Sequence, residues 1–226
     1  MRWRNLHPWN LSPKEAREVQ KRLAHKILLK EFKNDPGLVA GADVAYSRNS
    51  GTLFAAILIF KFPMMKLVEL SSARGKAEFP YIPGLLSFRE IPVLLEAAER
   101  AFLQPDIIIC DGQGIAHPRR LGLASHLGLL LDLPSVGCAK SRLVGEYGEL
   151  GEEVGSTSKI VYKGKPVGAV VRTRKKVKPV FVSPGYKVDL KGAIRVVLDA
   201  GRGYRIPEPV RQAHLTVNRL RKEEEA

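Results

Sequence analysis

The four-residue run Ile107-Ile108-Ile109-Cys110 does most to limit what this chain can become. It lies between Pro105-Asp106 and Asp111-Gly112, and so short an apolar run between turn signals reads as a strand buried on both faces. Such a strand delivers the next residue, Asp111, to its open end. The continuation Gly112-Gln113-Gly114-Ile115-Ala116-His117-Pro118-Arg119-Arg120 adds two glycines that let a ligand approach the backbone, then a histidine and two arginines. Asp-Gly by itself is an ordinary turn signal, favoured for local reasons. The whole stretch is a set of groups suited to a metal ion and a phosphate, and a metal there needs a second acid from elsewhere.

Asp43 is the candidate for that second acid. Residues 38–46 read as a strand in which one carboxylate stands among small and apolar neighbours, Val39-Ala40-Gly41-Ala42-Asp43-Val44-Ala45. A lone buried charge costs several kcal/mol unless it is paired, hydrogen-bonded or bound to metal. An edge-strand aspartate facing water is the plainer alternative. Residues 52–60 are too continuously apolar for a half-exposed strand. Residues 66–73 follow after a short connection containing Pro63, which gives a meander of three antiparallel strands.

In Phe79-Pro80-Tyr81-Ile82-Pro83-Gly84 two prolines stiffen the backbone around an aromatic and an aliphatic residue. A rigid loop of that kind presents Tyr81 and Ile82, as a wedge between stacked bases requires; a connecting loop with its Tyr on the core is the other reading. Residues 85–102 have helical periodicity, with Phe88, Ile91, Leu95 and Ala98 on one face and Glu90 near the start. After Asp111, a helix over 122–131 and the buried strand Ser135-Val136-Gly137-Cys138 complete a strand-helix-strand unit, the pattern of a parallel crossover. Ligands of such sheets bind outside the carboxyl ends of the strands, so Lys140, in Ala139-Lys140-Ser141-Arg142, should face the same site as Asp111.

Ser12-Pro13-Lys14-Glu15 supplies an N-cap, a first-turn proline and a capping-box glutamate. The helix it starts, with the stripe Val19, Leu23, Ile27, is expected to pack on the outside of a sheet, and no chemistry is assigned to it. The Gly- and Glu-rich residues 146–159 read as the least ordered part. Further strands are expected at 160–162, 166–172 and 177–182, and helices at 190–198 and 207–222, the last carrying His214. A lone helix histidine is more often a packing residue than a catalyst. Arg172, Arg174, Lys175, Lys176 and Lys178 form the densest basic cluster, a solvated loop or a contact to backbone phosphates.

With 37 Lys and Arg against 23 Asp and Glu, the formal charge of +14 makes a polyanion the first partner to consider, nucleic acid or a membrane surface. No run reaches the roughly 18 apolar residues of a spanning helix, and Met1-Arg2-Trp3-Arg4-Asn5 is no apolar signal core. A soluble, cytoplasmic, monomeric protein is expected, one domain over residues 1–226. The two cysteines, Cys110 and Cys138, match no zinc spacing and read as small buried residues.

Three antiparallel strands, a helix, then strand, helix and strand, with acids on the first and fourth strands, is the layout of the ribonuclease H-like α/β fold: a mixed central sheet, three antiparallel strands followed by parallel strands, flanked by helices. The motifs resemble the endonuclease V family, enzymes that nick DNA near deoxyinosine. They are Val39-Ala40-Gly41-Ala42-Asp43, the stretch from Phe79 to Glu90, the stretch from Asp111 to Arg119, Gly122-Leu123-Ala124-Ser125-His126, Gly137-Cys138-Ala139-Lys140-Ser141, and the stretch from Arg205 to His214. Together they cover nearly the whole chain.

The resemblance implies a role for each matching position. Asp43 and Asp111 would hold a catalytic Mg²⁺, with Mn²⁺ as a substitute ion and Glu90 as the further acid. Lys140 would contact the scissile phosphate or position the attacking water, His214 would lie close to the reaction centre, and His117 would help organise the site. Pro80, Tyr81, Ile82 and Pro83 would form the wedge that fills the gap left by an extruded base. Gly84, Leu86, Gly112, Gly122, Leu123, Gly137 and Ala139 would line the pocket for that base, partly through their backbone. Family enzymes cut the second phosphodiester 3′ to the lesion, leaving 3′-hydroxyl and 5′-phosphate ends. An inosine-directed ribonuclease and a non-catalytic nucleic-acid-binding module are the alternatives; the acids and Lys140 argue against the second.

Overall fold

The computed structural model describes residues 1–225. In chain order the elements are α1 (Pro13–Ala24), β1 (Leu38–Tyr46), β2 (Thr52–Lys61), β3 (Lys66–Lys76), α2 (Leu86–Arg100), β4 (Ile107–Cys110), α3 (Leu123–Leu131), β5 (Ser135–Ala139), β6 (Thr157–Tyr162), β7 (Lys165–Val171), β8 (Val180–Tyr186), α4 (Leu190–Asp199) and α5 (Glu208–Glu225). The strands make one sheet in the order β3-β2-β1-β4-β5-β8-β7-β6. The β1–β2 and β2–β3 pairs are antiparallel, β1–β4 and β4–β5 are parallel, and β8, β7 and β6 extend the sheet with antiparallel pairs. This is the expected ribonuclease H-like arrangement, continued by three strands beyond β5.

Helices α2 and α3 cover one face over Ala40, Ala42, Ile57, Ile59, Ile108 and Cys110. Helices α4 and α5 cover the other, over Val39, Phe54, Leu58, Ile107, Ile109 and Val136. Because β4 is covered on both sides its sequence has no polar alternation, and each buried isoleucine contributes about 1.5–3 kcal/mol. Residues on β1 alternate between the faces, so Gly41 and Asp43 share the α5 side with Val39 and Ala45. A Cβ at Gly41 would lie 2.1 Å from the backbone of Pro209, so only glycine lets α5 seat this closely on β1.

Three expectations need correction. Helix α1 begins with the capping box, the Ser12 N–H donating to the Glu15 carboxylate at 2.8 Å and the Glu15 N–H to Ser12 Oγ at 3.3 Å. It does not lie on the sheet, however; Ala16, Val19 and Leu23 pack with Phe79, Leu85, Phe88 and Leu121 in a separate cluster outside α2 and α3. Residues 146–159 are more regular than expected: Glu146 bridges to Val161, and β6 already starts at Thr157. Their order comes from backbone pairing at an exposed edge, which leaves little trace in side-chain pattern. Strand β8 starts later than expected and runs through Pro184 and Gly185 to Tyr186, with a register shift against Ser135/Val136 absorbing the proline.

Candidate active site

The parallel register sets Cys110 against Ala42, and the Asp111 N–H donates to Ala42 O at 3.0 Å. Asp111 therefore leaves β4 beside Asp43 on β1. The close seat of α5 at Gly41 brings His214, one to two turns further along that helix, over the same point. His214 Nδ1 donates to Asp43 Oδ2 at 2.7 Å, and the Val44 N–H donates to Asp43 Oδ1 at 2.8 Å. Lys140, just beyond β5, places its Nζ 2.5 Å from Asp111 Oδ2. One ligand atom each from Asp43, Asp111 and His214 lie within 4.8 Å of one another.

Burial raises the Asp43 carboxyl above its ordinary range; the His214 hydrogen bond opposes the rise and the Asp111 charge adds to it. Glu90, in the first turns of α2, stands outside the three-residue group, yet it is close enough to feel both carboxylates. Burial first, then the Asp43 and Asp111 charges, push its pKa up to about 8. The bond to Asp43 raises the His214 imidazole. A cluster in which acids are driven toward the neutral form is short of positive charge, and its donors are hard oxygens plus one imidazole. That set fits a divalent cation such as Mg²⁺ or Mn²⁺.

Beside the acids opens a cavity of about 390 Å³. Its wall includes Gly84, Leu86, Gly112, Gly122, Leu123 and Ala139, with Tyr81, Ile82 and Pro83 at its edge, and it shares Asp111 and Lys140 with the acid cluster. Gly137 is not on this wall. It lies beneath the loop, where a Cβ would come within 2.4 Å of Gly114 N, so it supports the cavity from below. Tyr81 is 70 % exposed, whereas Ile82 turns partly inward onto the Phe79 and Leu85 cluster, so the loop presents Tyr81 more than the pair. Helix α2 starts at the cavity without a side-chain cap, leaving the amides of its first turn without side-chain acceptors. His117 also belongs to the cavity wall and bonds Gly84 O at 3.0 Å; burial, with the Arg119 charge, lowers its pKa to about 4 and keeps it neutral.

Several contributors were not singled out from sequence. Gln113, Ser141 and Arg142 line the cavity, and the buried Gln113 Oε1 has no partner. Their signal was position within the Asp111 and Lys140 motifs. Asn218, four residues after His214 on α5, donates to His214 O at 2.8 Å and lies 3.3 Å from its Nε2. Its signal was helical spacing. In the basic cluster, Arg172 is tied to Gly151 O and Val177 O and Lys175 to Glu153, while Arg174, Lys176 and Lys178 are exposed.

A ribonuclease H-like sheet with one acid within its first strand and a second just after its fourth, side by side, defines the class of protein. Within that class, the family profile for Endonuclease V matches residues 21–215. Endonuclease V of Dehalococcoides mccartyi is 52% identical over 217 residues, 96% of this chain and 97% of that one. The crystal structure of endonuclease V from Streptomyces avermitilis superposes with a TM-score of 0.91 at 42% identity, covering 96% of each chain. That of Ciona intestinalis endonuclease V, in complex with a 24mer DNA containing an inosine followed by a ribo-adenosine, gives 0.81 at 28% identity over 93% of this chain and 98% of that one. The chain belongs to the endonuclease V family.

Proposed function

We propose that this chain is a divalent-metal-dependent endonuclease that recognises deoxyinosine in DNA and hydrolyses the second phosphodiester 3′ to it, leaving 3′-hydroxyl and 5′-phosphate ends. The observation that carries this reading is that Asp111, one of the clustered acids, and Lys140, bonded to it, also line the cavity, which would set a base pocket next to a phosphate site. The inosine-containing DNA bound by the Ciona intestinalis relative supports the same substrate class.

Asp43 and Asp111 would hold the ion, with Glu90 as the outer acid. Bound there, Mg²⁺ supplies Lewis-acid polarisation of the phosphodiester. His214 fixes the Asp43 carboxylate through its Nδ1–H, and the Asn218 amide lies 3.3 Å from the other ring nitrogen. The Lys140 ammonium, at the cavity mouth, offers positive charge to the scissile phosphate or orients the attacking water. Tyr81, between Pro80 and Pro83, enters the stack while the base moves to the cavity. Inosine pairs poorly, so extruding it costs less than extruding a normal base. Exposed Arg174, Lys176 and Lys178 would follow the backbone phosphates. Residues 1–226 act as one domain and one monomer in the cytoplasm; among the described residues no helix is long and apolar enough to cross a membrane.

The ribo-adenosine after the inosine in the Ciona intestinalis complex favours one second reading, inosine-containing RNA as substrate. Matched DNA and RNA duplexes, each with one inosine, separate the two. The DNA strand is expected to be nicked faster; faster cleavage of the RNA would reassign the substrate.

A further inference from the structure

Helix α1 contributes nothing to the acid cluster, yet one of its side chains reaches the loop that carries Tyr81. Gln20 is 1 % exposed. Its Nε2 donates to Gly84 O at 3.0 Å and to Leu121 O at 3.2 Å, and its Oε1 accepts from Arg119 Nε at 2.5 Å. Arg119 reaches the same Gly84 O with its other nitrogen at 2.8 Å, and His117 Nε2 reaches it at 3.0 Å. His117 Nδ1 accepts from the Arg119 N–H at 3.2 Å, so the imidazole proton sits on Nε2 and points at the carbonyl.

Three donors therefore converge on one carbonyl oxygen that has two lone pairs, more than satisfaction of a buried acceptor calls for. The carbonyl belongs to the residue that ends the Pro80–Pro83 loop. Gly84 has φ +78°, and a Cβ there would lie 3.0 Å from the Arg119 guanidinium, so any other residue would both strain the turn and push on its donors. The three donors come from α1 and from the loop after Asp111.

We propose that Gln20 and Arg119 are positioning residues for the Tyr81 wedge. By locking the Gly84 carbonyl they hold the loop rigid before DNA arrives, so insertion costs little ordering of the protein. They touch neither the phosphate nor the acids; their effect is on how readily a paired lesion is extruded. This inference rests on reading residues 80–83 as the wedge.

The test uses Gln20→Glu, which keeps the shape and the acceptor for Arg119 but removes the donor to Gly84, and Arg119→Lys, which keeps the charge but loses the fork. Single-turnover nicking is measured against enzyme concentration on a duplex with one deoxyinosine and on the same strand unpaired. On the duplex, the half-saturating concentration should rise about tenfold or more while the saturated rate changes far less. On the unpaired strand, which needs no wedge, the loss should be much smaller, so the duplex-to-single-strand ratio falls. Equal losses on both substrates, or no loss on either, would overturn the proposal.

Amide hydrogen exchange at Leu85, whose N–H closes the loop by donating to Ile82 O at 2.9 Å, gives in the free protein a readout independent of cleavage. It should quicken in both variants while the β4 amides stay protected; unchanged exchange at the loop would also overturn the clamp. Should the wild type nick neither substrate, the proposed function fails, and the exchange result still decides the clamp.

Discussion

The acid cluster and the cavity beside it share Asp111 and Lys140 but are held in place by different means. Asp43 and Asp111 ride on adjacent parallel strands, and a ladder of backbone bonds and two covered faces fix their separation. The Pro80–Pro83 loop at the cavity edge, which ends at Gly84, is held by a few side chains reaching in from α1 and from residues 117–119. The first region tolerates loss of a single contact, because the sheet carries the geometry. The second does not, because few bonds carry it. Chemistry and recognition should therefore fail separately when each region is altered.

The largest expected effect is on the acid side. Asp43→Ala or Asp111→Ala should reduce nicking by more than the roughly 10–100-fold that loss of an outer partner of a metal site costs. Affinity for a deoxyinosine duplex, measured by anisotropy, should change little, and a large loss of affinity would break the separation. On the recognition side, Tyr81→Ala should lower the preference for lesion over undamaged duplex by about 5–150-fold, the usual worth of one base–aromatic stack. Divalent-ion binding by calorimetry should be retained; its abolition would remove Tyr81 from the wedge role.

Gly41→Ala acts between the regions, through the seat of α5. The added Cβ meets the Pro209 backbone, which cannot yield as a flexible side chain would, so about 1–3 kcal/mol of stability should be lost. Thermal melting should fall by roughly 2–12 °C, and the NMR signal of the His214 ring should shift as its bond to Asp43 loosens.

A further effect concerns pH. Glu90 is held protonated up to about pH 8 in the folded protein, whereas in the unfolded chain it ionises near its usual 4.5. Between these values the folded state binds the extra proton, so its contribution to stability is present below about pH 4.5 and is lost as pH rises toward 8. In chelator, melting temperature should drop between pH 5 and 8.5 by more in the wild type than in Glu90→Gln. An identical drop in both would show that Glu90 is not the group held neutral.

The acid side was the more legible in sequence. A carboxylate within Val39-Ala40-Gly41-Ala42-Asp43 and another after Ile107–Cys110 stand out because apolar surroundings make a lone charge costly. The layout of three antiparallel strands and a helix before the strand-helix-strand unit then set them side by side. Helix α1 was legible in its cap and its stripe but not in its place, because its apolar face meets loops and helix ends instead of the sheet. The Gln20 link was illegible, since a glutamine on a helix has no pattern that announces a partner 64 residues away. The cavity wall could be read only through the family resemblance, which named Leu86, Leu123 and Ala139 beside the glycines. Gly137 misled, because a glycine where two backbones cross looks the same as one facing a ligand. Residues 157–159 were missed because an exposed edge strand buries too little to show a period.

The most direct measurement is end-labelled mapping of the wild-type product on a duplex with a single deoxyinosine, in Mg²⁺ and in chelator. One nick at the second phosphodiester 3′ to the lesion, with a 3′-hydroxyl and a 5′-phosphate, present only with the ion, is the expected result. Cleavage that persists in chelator, or that falls without regard to the lesion, would contradict a metal site at Asp43 and Asp111 coupled to a base pocket.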